Sequence, residues 1–216
     1  MTDVPKFHYI GVHGTWDLAE DSWWRHGSPF CKLAAENGLH CEEEFETFFW
    51  NGAIDGVSLK TVLTLGLLRD RHYTWMASGL SLRNRLRLSA LKDRNLIVHS
   101  YGLSVLAYAE IEVNNIISVG SPIRNDLSSR YRALRNRCNR WMHIYDTEWD
   151  HMAYLGQLFD GRWFGTRRCE FAHENCRLKH IGHSKILRDP VAMQKWKSEG
   201  WYDFLKMSRR DERSAA

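Results

Sequence analysis

Ser100 has the setting best suited to chemistry. It follows an apolar strand-like run in Leu96-Ile97-Val98-His99-Ser100-Tyr101-Gly102, where strand gives way to a serine, a glycine and then a helix. A sharp strand-to-helix turn lifts such a serine clear of a sheet, and Gly102 lets neighbouring backbone pass close to the turn. The backbone N–H of Tyr101 then lies at a helix N-terminus, suited to stabilising an oxyanion. A serine hydroxyl is a poor nucleophile until a base takes its proton, so Ser100 needs a histidine partner. Val98 stands where the tightest turns of this kind carry glycine, and it crowds the turn. An ordinary βα turn with a capping serine fits the same seven residues equally well. His99 adjoins Ser100, but strand alternation points it away, as a hydrogen-bonded packing residue.

A second cluster combines Cys169, His173, Cys176, His180 and His183. Two cysteines and two histidines can build a tetrahedral zinc site, but the cysteines are spaced more widely than in the usual motifs, and zinc would compete for His183. A Cys169–Cys176 disulfide would need an oxidising compartment. Five cysteines without a visible signal peptide favour free thiols. The expectation is no metal and no cofactor. The chain also has ten tryptophans. Trp16, Trp23, Trp24, Trp75, Trp149 and Trp163 fall in expected loops or caps, where aromatics can line an apolar or sugar-binding cleft. Trp16, Trp149 and Trp163 are the candidate substrate contacts.

The elements that must position these groups alternate. Phe7 to Val12, Asn95 to Val98, Ile116 to Val119, Trp141 to Tyr145 and Leu178 to Ile181 read as short apolar strands, and Phe45 to Trp50 as a β-rich run ending at Asn51-Gly52. Helical patterns cover Ser28 to Asn37, closed by Gly38, and Leu80 to Leu91, Leu103 to Glu112 and Pro190 to Met207. Strands without a polar face, alternating with helices, predict a mostly parallel sheet covered on both faces. Two segments break the alternation, Ile54 to Gly79 and Tyr154 to Arg177. Both are expected to pass over the carboxyl ends of the strands as lid or cap excursions, where open α/β sheets bind ligands. Ile54 to Leu68 reads equally as a leucine-rich core helix.

The chain of 216 residues suits one domain, 1–216, with no repeat, low-complexity tract or linker. No run reaches the roughly 18 apolar residues needed to span a bilayer, and no basic segment followed by an apolar one marks a secretory signal. A cytoplasmic protein is expected. The net charge of +4 is uneven. Arg83, Arg85, Arg87, Lys92 and Arg94 form one basic set, and Arg124, Arg130, Arg132, Arg135, Arg137 and Arg140 another. Neither carries a nucleic-acid-binding motif, so they read as solvated helix faces with no nucleic-acid partner expected.

Beyond Ser100, the order of short motifs resembles the α/β-hydrolase family, in particular its lipase and esterase branches. Ile10-Gly11-Val12-His13-Gly14-Thr15-Trp16 resembles the early strand and His-Gly turn of that family, which implies Thr15 N–H as the second oxyanion-hole donor and His13 as the residue ordering its loop. Phe48-Phe49-Trp50-Asn51-Gly52 and Ser118-Val119-Gly120-Ser121-Pro122 resemble two further turns of the family. His143 to Ala153 is similar to the strand and loop carrying the triad acid, and Ile181-Gly182-His183-Ser184 to the loop carrying the histidine. The resemblance, over about Phe7 to Leu187, implies a minimal α/β-hydrolase fold and a Ser100, Asp150, His183 triad in the family's chain order. Asp146 is the rival acid, directly after the strand; His180 is the rival base, expected within a strand. The implied activity is serine hydrolysis of a carboxylic ester or related acyl bond, on a small or lipid-like substrate. The alternatives are an amidase, peptidase or thioesterase with the same triad, or an inactive fold used as a binding module.

Overall fold

The computed structural model describes residues 6–14, 23–41, 71–88, 94–146, 164–165, 168–183 and 185–207. β1 (Phe7–Val12), β2 (Leu39–Cys41), β3 (Asn95–His99), β4 (Val113–Val119), β6 (Cys138–Asp146) and β8 (Glu174–Leu178) form one parallel sheet of six strands, in the order β2-β1-β3-β4-β6-β8. β5 (Ile123–Arg124) and β7 (Phe164–Gly165) make a short antiparallel pair. Among the described residues the α-helices are α1 (Pro29–Glu36), α2 (Arg71–Leu88), α3 (Gly102–Ala109), α4 (Ser128–Arg137), α5 (Pro190–Ser198) and α6 (Trp201–Lys206).

Alternation along the central strands sorts the core into two layers. Leu96, Val98, Ile116 and Trp141 meet α2, α3 and α4 on one face. Ile97, Ile117, Val119, Met142 and Ile144 meet α1, α5 and α6 on the other. Successive strand residues point to opposite faces, so a strand buried on both sides must be apolar throughout. That is why β3 and β4 lack a polar face.

Four elements differ from the sequence expectations. β2 forms at Leu39–Cys41, earlier than the anticipated Phe45 to Trp50 run, which lies outside the described residues. The helix anticipated from Leu80 begins at Arg71 and so absorbs the end of the first excursion; positions 54–70 lie outside the described residues. The last sheet strand is Glu174–Leu178 rather than Leu178 to Ile181, because His180 and Gly182 adopt positive φ of 59° and 79° and end the extended run. The C-terminal helix divides at Gly200, whose φ of 66° is left-handed backbone that glycine adopts without strain. All five cysteines are free thiols. Among the described residues, no three His, Cys, Asp or Glu side chains converge as a metal site, and no helix is long and apolar enough to cross a membrane.

α2 and α3 approach through Gly79. A Cβ there would lie 2.7 Å from Tyr108 Cβ and 2.8 Å from Val105 O. Gly79→Ala should therefore lower the melting temperature. The gain of about 1 kcal/mol in helix propensity is outweighed by overpacking against backbone, worth roughly 1–3 kcal/mol or more. An unchanged or raised melting temperature contradicts this packing.

The β6–β8 edge is closed by a reciprocal pair. Trp141 N–H donates to His173 Nδ1 at 2.9 Å, and His173 N–H donates to Trp141 O at 2.8 Å. Desolvation, then Arg135 and Arg140, holds the His173 pKa down to about 4 from 6.5. Between those values the unfolded chain binds more protons than the folded one, so stability present above pH 6.5 is lost as pH falls towards 4. The melting temperature should fall across that window in wild type and fall less in His173→Asn. Identical pH profiles contradict the assignment.

Candidate active site

The chain runs from β1 outward to β2, then returns to place β3 on the other side of β1. The carboxyl ends of β1 and β3 therefore flank the point where strand order reverses, the place where open α/β sheets form a ligand crevice. β1 ends there in His13-Gly14, and β3 in His99-Ser100. The two turns touch: a Cβ on Gly14 would lie 2.7 Å from Ser100 Cβ and 3.4 Å from its Oγ.

Ser100 sits in the turn with φ of 52°, a left-handed conformation costly for a residue with a Cβ. Its N–H donates to Val119 O at 3.0 Å, which ties the turn to the end of β4. α3 starts at once, with Ser104 N–H donating to Tyr101 O at 2.9 Å. Gly102 is required by close approach, since a Cβ there would lie 2.8 Å from both Val12 O and His13 O. Val98 is fully buried in the α2–α4 layer, so its bulk is absorbed by the core. Gly102→Ala should push the Ser100 turn away from β1 and reduce any turnover that depends on Ser100 more than about tenfold, since small displacements at a reacting centre cost on the order of 100-fold. Full activity in that variant contradicts the role given to the crossing.

Tyr101 stacks on Trp75 with ring centroids 5.2 Å apart. Trp75 was anticipated in a loop or cap, but it is a buried residue of α2 that supports the turn from below. Trp23 and Trp24 are also buried, and Trp24 stacks on His13 at 5.1 Å. His13 Nδ1–H donates to Gly14 O at 2.7 Å, so this imidazole braces the start of the turn after β1.

His183 reaches the same place from the far end of the chain. A Cβ on Gly120, the residue after β4, would lie 3.3 Å from His183 Nδ1. The His183 ring lies 4.9 Å from that of His99, and His99 Nε2–H donates to His183 O at 3.3 Å. His99 is thus a buried, hydrogen-bonded residue as anticipated, but its ring packs on His183 and braces that loop rather than pointing away from the site. His180 is exposed and outside the strand where it was anticipated.

Sequence reasoning missed one contribution. Asp146, fully buried at the end of β6, accepts the N–H groups of Ile181 at 2.7 Å and Gly182 at 3.1 Å on Oδ2. One carboxylate oxygen thereby fixes the two residues before His183. Asp150, Thr15, Trp16, Trp149 and Trp163 lie outside the described residues. Within the second excursion, β7 pairs with β5 just after the Gly120-Ser121-Pro122 turn, but Glu174–Leu178 at its end is a strand of the main sheet, so that part does not break the alternation as expected; positions 154–163 and 166–167 lie outside the described residues.

The fold recurs in solved structures. Dienelactone hydrolase from Anabaena variabilis matches with a TM-score of 0.56 at 13% identity, covering 95% of this chain and 88% of its own. A predicted CIB-like hydrolase from Thermoplasma acidophilum matches with a TM-score of 0.54 at 13% identity, covering 94% and 89%. The lipase BlEst2 from Bacillus licheniformis gives 0.50 at 13% identity, covering 92% and 95%. No family model matches the sequence, and a comparison with curated proteins finds no significant relative. The parallel sheet, its order and these likenesses define an α/β-hydrolase fold.

Proposed function

We propose that the protein is a serine hydrolase that cleaves a carboxylic ester or related acyl bond. The observation that carries this reading is Ser100 held at φ of 52° between β3 and α3, with the His183 imidazole packed on the neighbouring Gly120. A strained serine at the strand-order reversal, beside a histidine from a distant loop, suits a nucleophile and its base better than a capping serine. The lipase and the dienelactone hydrolase of like fold point the same way.

In this mechanism Ser100 Oγ attacks the acyl carbonyl as its proton passes to His183. The backbone N–H groups of Tyr101 and Thr15 hold the resulting oxyanion. His183 protonates the leaving alcohol as the acyl bond breaks, leaving an acyl-Ser100 ester. A water molecule then gives its proton to His183, attacks the acyl carbon and releases the acid, and the proton returns to Ser100. Asp150 fixes the His183 tautomer and stabilises the imidazolium, while Asp146 holds the loop backbone. Trp16, Trp149 and Trp163 are the proposed walls of the acyl site, with the part of 154–177 that precedes β8 contributing to its roof. No cofactor enters any step. Free thiols fit a reducing compartment, and the cytoplasm is the proposed location.

The test is a panel of p-nitrophenyl esters of increasing acyl length, run beside matched p-nitroanilides and thioesters. Ester turnover should exceed anilide and thioester turnover at every matched length. Faster cleavage of the anilide or thioester would reassign the leaving group, and no turnover of any of them would leave a binding module as the better reading.

A further inference from the structure

α2 and α4 lie on the same face of the sheet, with the uncharged α3 packed between them. Each carries four arginines and no aspartate or glutamate. Helix surfaces that only face water usually mix the two signs of charge. α2 is also apolar on two sides. Trp75, Leu82 and Leu86 are buried inward, whereas Met76, Leu80 and Leu88 are 40%, 40% and 87% exposed. Met76, Leu80, the half-buried Arg83 and Arg87 recur at helical spacing on one stripe, with Leu88 and Arg85 farther round the exposed side of the helix. On α4, Arg132 is exposed and Arg137 half-buried. Among the described residues, Arg83, Arg87, Arg132 and Arg137 form no ion pair, while Arg130 is taken up by Glu110 and the Tyr108 ring.

Aliphatic side chains flanked by guanidinium groups match the boundary of an anionic bilayer. The apolar residues enter the acyl boundary, and the arginines stay at the level of the phosphates. A nucleic acid would match the charge but would leave Met76, Leu80 and Leu88 with nothing to bury against, since bases are held by aromatic platforms rather than by aliphatic side chains. We propose that the α2–α4 face docks reversibly on anionic lipid bilayers, with Met76, Leu80 and Leu88 inserted shallowly and Arg83, Arg87, Arg132 and Arg137 on headgroup phosphates. The inference stands independently of the reaction at Ser100.

Co-sedimentation of the full chain with vesicles tests it. The protein should pellet with vesicles of phosphatidylcholine mixed with phosphatidylglycerol, and remain in solution with phosphatidylcholine alone. Added salt should release it. An Arg87→Glu/Arg132→Glu variant should bind at least about 20-fold more weakly, given roughly fivefold per arginine at a charged surface. Leu80→Ser/Leu88→Ser should weaken binding at unchanged charge. A melting curve checks that each variant folds, and Arg87→Gln/Arg132→Gln replaces the charge reversal if that one does not. Equal binding to neutral and anionic vesicles, wild-type binding by the arginine variants, no pelleting at all, or displacement from vesicles by duplex DNA would overturn the proposal.

Discussion

Ser100→Ala is expected to reduce ester turnover on the order of 10^4-fold or more while leaving the fold intact. The residual rate would come from the oxyanion donors and substrate binding alone. Ser100→Gly gives the sharper test, because it separates reactivity from strain. The native φ of 52° penalises any residue with a Cβ, and glycine relieves that penalty. Ser100→Gly should therefore be equally inactive yet more stable than wild type by about 1 kcal/mol, read from the denaturant midpoint. A protein that gains stability when a residue is removed, and loses all activity, has kept that residue for chemistry. If Ser100→Gly is less stable than wild type, the turn is not strained and the argument for a nucleophile weakens. If Ser100→Ala remains active, the assignment is wrong.

The second large effect concerns Asp146. Removing its carboxylate in Asp146→Ala leaves the N–H groups of Ile181 and Gly182 without their acceptor in the interior, at roughly 1–3 kcal/mol for each donor left unpaired. The same change frees the two residues that precede His183, and a base displaced by about 1 Å costs on the order of 100-fold in rate. Asp146→Ala should lose both stability and turnover. Asp146→Asn distinguishes anchor from triad acid. An amide oxygen can accept the same two N–H groups, so an anchor tolerates asparagine with less than about tenfold loss, whereas a triad acid changed to amide loses on the order of 10^4-fold through the wrong histidine tautomer. Asp150→Asn is expected to show that larger loss. If the two asparagine variants exchange these outcomes, Asp146 is the triad acid and Asp150 is not.

The parts of the fold legible in the sequence were those with apolar residues on both strand faces. β1, β3, β4 and β6 are visible because parallel strands between two helical layers must be apolar throughout. β8 was misplaced because Glu174 and Arg177 make an edge strand read as loop, and charge is what edge strands carry. β2 is three residues long and includes His40, too short for any period. The first half of α2 was hidden by Thr74, Ser78 and Gly79, weak helix formers, of which Gly79 lies where the helix meets α3. At the site, Ser100 was legible because strand, serine, glycine and helix follow one another directly. Asp146 had no such signature for its role as anchor. Its partners are backbone N–H groups 35 and 36 residues away, and a backbone donor leaves no residue type in the sequence. The sequence reason for preferring His183 to His180, a place for His180 within a strand, does not hold, because β8 ends at Leu178 and the positive φ of His180 and Gly182 turns the chain back towards Gly120.

The most direct test of the central claim is covalent labelling with a fluorophosphonate probe, followed by proteolysis and mass mapping. The probe phosphonylates a serine only where a neighbouring base has made its oxygen nucleophilic. The account predicts a single modified serine, Ser100, with labelling lost in Ser100→Ala and sharply slowed in His183→Ala. Modification at another serine, or a folded wild type that takes up no label, would contradict it.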